Sequence, residues 1–240
     1  MTSSGAGVCI TFDDNYVYQW HGAKDIFKEY GARATFFVGG FHSLSEHQRW
    51  TLRDLQWHGH EIGYHTLSHP KASDFLKQFS VQDYIDREIV PGLALMKNYN
   101  LQPTAFCYPF SDRNESLDRA LLHHFQILRW GSADAKLWFC PPFGNRVVCA
   151  GNIDLAVNPE RSMEQIQSEL HQAKDENSVV IYYAHRIGER GIPYLVLDKM
   201  CQMAKDIGLQ FHTISELAAS LTNEPSVTDA MTDSSHSVIF

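Results

Sequence analysis

Short runs of β-forming residues alternate with helical segments along most of this chain, and a chain patterned that way folds as a parallel sheet covered by helices. The first run, residues 8–12, is apolar and stops at Asp13-Asp14-Asn15, which reads as a buried strand entering a polar loop. A helical pattern over 18–30 ends at Gly31, and Ala34-Thr35-Phe36-Phe37-Val38 reads as a second strand. Helices are expected over 45–58, 81–99, 115–124, 162–174 and 194–207, with an interruption near Pro91-Gly92. Strands are expected over 61–64, 105–108, 126–130, 178–184 and 209–211, and a short helix from Ser215. Counting seven or eight strand–helix steps favours an α/β fold built as an irregular (β/α) barrel, mostly parallel, over an open sheet. Pro141-Pro142, Phe143-Gly144 and Gly151-Asn152 punctuate 131–158, which is expected to be a long functional loop. From Leu221 the composition turns to Thr, Ser, Asp and Asn, so a single domain over 1–222 and a mobile tail over 223–240 are expected.

Composition removes several classes of function. The chain has 240 residues, 44% apolar and 20% charged, which suits a folded domain with a sizeable core. With 20 Lys+Arg against 28 Asp+Glu, the net charge of −8 repels nucleic acid and anionic membranes, and no local basic patch compensates. No apolar run approaches a membrane span of ~18 residues. The five cysteines form no CxxC pair, so buried thiols are expected, although Cys140 and Cys149 could close a short loop in an oxidising compartment. The first residues show neither a basic segment nor an apolar one, so a cytoplasmic location is expected, or an extracellular or cell-wall one if a signal segment has been removed. Oligomeric state leaves no trace in the sequence.

Chemistry concentrates where strands end. His65 and His69, four residues apart beside Pro70, could turn their ring nitrogens toward one ion from a tight turn or one-turn helix after the third strand. With 13 His in the chain, roughly one such spacing arises by chance, and two polar loop histidines would look the same. Asp13-Asp14 close the first strand. They could cap the next helix, or one carboxylate could bind a divalent ion while the other takes a proton from water. His65, His69 and one Asp would form a site with open positions, suited to zinc or a similar ion and to hydrolysis; cobalt and nickel fit the same donors. His185 ends the strand over 178–184 and could protonate a leaving amine. The turn Tyr108-Pro109-Phe110 could aim the Phe110 N–H at a developing oxyanion. In a parallel barrel all these strand ends share one rim. Trp130, Trp138, Phe139 and Phe143 could present flat faces to a ligand or pack in the core.

Thr11-Phe12-Asp13-Asp14, the strand 34–38, the segment 59–70 and Tyr183-Ala184-His185 together resemble the polysaccharide deacetylases of carbohydrate esterase family 4. The resemblance implies metal-dependent removal of N- or O-acetyl groups from an acetylated sugar or polysaccharide. It implies Asp14, His65 and His69 as metal ligands, Asp13 as catalytic base and His185 as acid. Asp134, with Trp138, resembles the carboxylate that supports the acid, at a spacing one residue too long. Cys107 stands where the family often has an arginine that braces the base, and Asn15 where it has glycine. Tyr183 stands where it usually has a leucine beside the acetyl methyl. These departures leave open a different acyl group, or a carbohydrate-binding pseudo-enzyme with the same fold.

Overall fold

In a computed structural model the chain is described over residues 5–142, 144–155 and 158–218. Nine strands share one sheet: β1 (Gly7–Asp14), β2 (Ala34–Val38), β3 (Glu61–Tyr64), β4 (Ala105–Cys107), β5 (Ile127–Gly131), β6 (Phe139–Cys140), β7 (Val147–Asn152), β8 (Val179–Ala184) and β9 (Gln210–Phe211). Eight of them are parallel, and seven of these follow one another as β1-β2-β3-β4-β5-β7-β8, with β8 returning to pair β1 from Gly7↔Val179 to Phe12↔Ala184. The barrel is therefore closed and leaves no free edge among these seven. Short β6 runs antiparallel along β8, and β9 pairs only with Gly7 and Val8 at the start of β1.

The two faces of each strand do different work. On β1, Val8, Ile10 and Phe12 join the large core beneath the helices, while Cys9 belongs to a second cluster inside the barrel with Phe37, Ala105, Cys107, Ile127 and Ile181. Ile214 and Leu217, just after β9, complete that inner cluster and plug one end. The plug is tied down by Ile214 N–H to Thr35 Oγ1 (3.0 Å) and Ser215 N–H to Glu61 Oε2 (3.1 Å). Glu61 and Thr35 open their strands, so the closed end is the N-terminal one and the polar strand C-termini stay accessible.

Helix boundaries follow the expected pattern with three differences. Ser45 and Gln48 form a reciprocal capping box that starts the helix Glu46–Trp57, and Ser162 with Gln165 does the same for Met163–Asp175. The segment 18–30 is two helices, Val17–Gly22 and Lys24–Tyr30, meeting at Ala23. The segment 81–99 is not a helix broken at Pro91-Gly92. Its irregularity lies one turn earlier, where Ile85–Ile89 widens into a π-turn between Val81–Tyr84 and Val90–Lys97. Proline lacks an N–H and clashes with the carbonyl four residues back, and a widened turn relieves both. The third difference concerns 131–158, which is no long loop: it contains β6 and a full barrel strand, β7. Glycine and proline on both sides hid the run Val147-Val148-Cys149-Ala150. The five cysteines are all free, including Cys140 and Cys149. The expected tail over 223–240 and Phe143 lie outside the described residues.

Candidate active site and metal centre

The open rim collects the polar strand ends because register leaves them little choice. Asp13 and Asp14 pair with Phe37 and Val38 of β2, Val38 pairs with Tyr64 of β3, and His65 follows directly. On the other side Phe12 pairs with Ala184, so the next residues along, Asp13 and His185, are neighbours. His65 and His69 sit on a turn rather than a helix, with Thr66 (φ 68°) and His69 (φ 62°) both left-handed. Asp14 (φ 81°), Phe110 (φ 57°) and Ser111 (φ 57°) are left-handed too. Five of the seven such non-glycine residues among those described thus line one rim, where strain of about 1–3 kcal/mol each is held by the surrounding structure.

Three donor atoms converge there. His65 Nε2 and His69 Nε2 are 3.1 Å apart, and Asp14 Oδ1 lies 3.7 Å from the first and 3.3 Å from the second. Ligands about 2.0–2.1 Å from a tetrahedral ion stand roughly 3.3 Å from one another, so the triangle matches one face of such a site. His65 Nδ1 donates to the Cys107 carbonyl at 2.8 Å, which fixes the proton on that nitrogen and turns the Nε2 lone pair toward the triangle. Burial pushes His65 down to about 4, so its ring is neutral near pH 7, as a ligand must be. Burial alone would raise Asp14, but the His69 hydrogen bond and the nearby imidazoles outweigh it and hold Asp14 below the usual carboxylate range. The turn itself is clamped by Glu88, whose buried carboxylate accepts from Leu67 N (3.1 Å), Ser68 N (2.8 Å) and Ser68 Oγ (2.6 Å). The π-turn carries Glu88, and Tyr64 Oη donates to its carbonyl at 2.5 Å. Gly92 permits this approach, since a Cβ there would lie 1.8 Å from Tyr64 Oη.

Asp13 points into the barrel mouth, only 4% exposed, and its partner was invisible in the sequence. Arg129 of β5, fully buried, forms an ion pair with Asp13 Oδ1. Cys107 donates its thiol to the other oxygen, Oδ2, at 3.7 Å. Cys107 and Arg129 are register partners on adjacent strands, so the guanidinium arrives from one strand over. Its flanks are covered by the rings of Phe37 (5.1 Å) and Tyr183 (4.8 Å). A sequence signal existed: an arginine inside the apolar run 127–130 must find a charged partner when buried.

His185 is held by a different carboxylate from the one expected. Its Nδ1 lies 3.0 Å from Asp154 Oδ2, which also accepts from its backbone N–H at 3.3 Å. Asp134 does not reach it; exposed on a short 3₁₀ turn, it accepts from Lys136 N at 3.1 Å and serves as a local cap. Asp154 follows β7, the strand mistaken for loop, so its place on the rim could not be read. Burial would lower His185, but the Asp154 hydrogen bond and the charges of Asp13, Asp14 and Asp154 outweigh that and raise it, favouring the imidazolium.

The remaining residues divide plainly. The Phe110 ring lies tilted against His69 at 4.6 Å, and the residue is 59% exposed, a wall that a ligand can touch. Trp138 is buried, and Trp130 and Phe139 pack against the core. A cavity of about 480 Å³ opens beside the triangle between Asp14, Gly40, His42 and Ser68. Among the described residues no helix is long and apolar enough to cross a membrane.

Comparison with known proteins bears on the family and the fold. The chain is 26% identical over 217 residues to a peptidoglycan-N-acetylglucosamine deacetylase of Bacillus cereus, covering 88% of this chain and 87% of that one. It is 30% identical over 119 residues to the putative polysaccharide deacetylase YxkH of Bacillus subtilis, covering 47% of this chain and 40% of the other. The fold matches the peptidoglycan deacetylase PdaC of Bacillus subtilis, with TM-score 0.60 at 22% identity over 91% of this chain and 92% of that one. It also matches the chitin deacetylase of Colletotrichum lindemuthianum, with TM-score 0.62 at 20% identity over 90% and 88% of the two chains. The family model for polysaccharide deacetylases spans residues 2–127, more than half of the sequence, and the chain belongs to that family.

Proposed function

We propose that this protein is a metal-dependent hydrolase that removes small N-acyl groups, of the acetyl type, from amino-sugar residues of a polysaccharide. The observation that carries the reading is a three-donor triangle flanked by a braced carboxylate, Asp13 with Arg129, and a braced imidazole, His185 with Asp154. Asp14, His65 and His69 would hold the ion, and their donor set suits zinc, with cobalt or nickel as substitutes. When bound, a divalent cation supplies Lewis acidity toward the acyl carbonyl and toward water.

The chain's own residues supply the proton traffic. Asp13 accepts the proton of the attacking water, and the Arg129 ion pair keeps that carboxylate aimed at the rim. The Phe110 N–H donates to the oxygen on which negative charge develops. His185, oriented through Nδ1 by Asp154, gives its Nε2 proton to the sugar nitrogen as the C–N bond breaks. An O-acetyl ester would use the same groups. The names of the relatives point to N-acetylglucosamine in peptidoglycan as the first polymer to try, and a cell-wall site of action is proposed with it. Cys107 in place of an arginine had favoured a binding pseudo-enzyme; with Arg129 on Asp13, that observation no longer does.

The test uses chelator-stripped protein with and without added zinc or cobalt, scored for acetate and free amine from peptidoglycan and chitin oligomers. Metal-restored release that disappears in Asp13→Asn, while that variant still binds metal, is the expected result. Tight metal binding with no release from any acylated sugar would overturn the hydrolase reading.

A further inference from the structure

The rim holds a second cavity, of about 360 Å³, on the arc opposite the first. The first is lined by the loops after β1, β2 and β3; the second lies among the ends of β4, β5, β7 and β8. Phe110 forms its boundary with His69, and the Tyr183 ring reaches to 6.0 Å from His185. Its walls thus include a neighbour of the metal triangle, Phe110, and a neighbour of the acid, Tyr183.

Its inner wall is polar and built as a unit. Asn152 Nδ2 donates to Tyr183 Oη at 3.2 Å, Asn152 Oδ1 accepts from Asp154 N at 2.7 Å, and Asp154 holds His185. Ser111 and Tyr183 meet over Gly131, where a Cβ would lie 2.6 Å from Ser111 Oγ and 2.8 Å from the Tyr183 ring. Accepting from Asn152 leaves the Tyr183 hydroxyl able to donate its own proton as well. A methyl group would displace water from these atoms and return no hydrogen bond, whereas a hydroxyl would restore it.

We propose that this cavity receives the acyl substituent and selects a hydroxylated one, hydroxyacetyl above acetyl, with Tyr183 and Asn152 as the selecting pair. The inference rests on the hydrolase reading above. The chemistry stays a balanced hydrolysis: the amide C–N bond breaks, water supplies the new C–O bond, and hydroxyacetate and a free amine leave with no further reactant. A site that hydrogen-bonds a substrate hydroxyl discriminates against the analogue lacking it more strongly than an apolar pocket discriminates by size.

The experiment compares N-acetyl and N-hydroxyacetyl glucosamine oligomers with the zinc-loaded full chain, reading free amine. In parallel, calorimetry measures the affinities of acetohydroxamate and hydroxyacetohydroxamate, which need no turnover. Wild type should favour the hydroxylated member of both pairs by about tenfold or more. Tyr183→Phe, which removes one hydroxyl and little volume, should bring both ratios close to one, and Tyr183→Leu should reverse them. Equal treatment of the two members by wild type, or ratios unmoved in Tyr183→Phe, overturns the selectivity. Release of both acyl groups without preference refutes it while leaving the hydrolase intact. A hydroxamate preference without any acyl release refutes the hydrolase and leaves the pocket assignment standing.

Discussion

Replacing Arg129 with methionine removes the cation from a carboxylate that is 4% exposed and leaves it with only the Cys107 thiol. A buried ion pair broken on one side typically costs about 3–5 kcal/mol, because the remaining charge keeps its desolvation penalty. Contacts of the guanidinium with Phe37 and Tyr183 are lost as well, at about 0.5–2 kcal/mol each, while the methionine side chain returns part of that by packing. The net expectation at pH 8 is therefore a loss of about 3–5 kcal/mol. Urea unfolding of the zinc-loaded protein at that pH reads this directly. A misaimed base should also lower kcat/KM by roughly 10²-fold, the lower end of what a positioned base contributes. Cys107 and Arg129 face each other across adjacent strands, so the exchange Cys107→Arg with Arg129→Cys returns a guanidinium to the same carboxylate. That double variant should recover most of both losses. A destabilisation under about 1 kcal/mol in Arg129→Met, or a double variant no better than the single one, would refute the bracing role.

Three further perturbations separate the remaining roles. His185 acts protonated and its raised position depends on Asp154, so in Asp154→Asn the alkaline limb of kcat/KM should move to lower pH, whereas Asp134→Ala should leave the profile in place. Glu88→Gln cannot satisfy the Leu67 and Ser68 groups as a carboxylate does, and zinc affinity measured by competition with a chelator should fall by about 10–100-fold. His60, 5% exposed, accepts from Ala34 N through Nδ1 (3.2 Å), and burial pushes it down to about 4. Its ring is neutral when folded and takes up a proton below the unfolded value near 6.5. The stability it contributes is thus complete above that value and lost as pH falls through the range down to about 4, a total of about 3 kcal/mol. His60→Gln, which keeps an acceptor, should flatten that slope in urea titrations between pH 7 and 4.

Legibility followed the range of the interactions. The strands 8–12, 34–38, 61–64 and 178–184 were readable because a buried parallel strand is a continuous apolar run whatever surrounds it. The capping boxes at Ser45 and Ser162 were readable because their partners lie three residues away. β7 was not, because Gly144, Gly151 and the prolines before it carry turn signals that only its pairing with β5 and β8 overrides. Asp154 went unassigned with it, and Asp134 stood in by motif resemblance alone, at a spacing one residue too long.

By itself the sequence determined the alternation of strand and helix and the strand-end positions of Asp13, Asp14, His65, His69 and His185. These are local properties, fixed by composition and spacing within a few residues. Only the tertiary structure decided what each polar side chain touches: Arg129 on Asp13 from 116 residues away, Asp154 on His185 from 31, and Glu88 on the histidine turn from 20. Such contacts depend on strand register and barrel closure, which bring together side chains that no sequence period relates, and burial then makes each pairing obligatory because an unpaired charge there is too costly to leave.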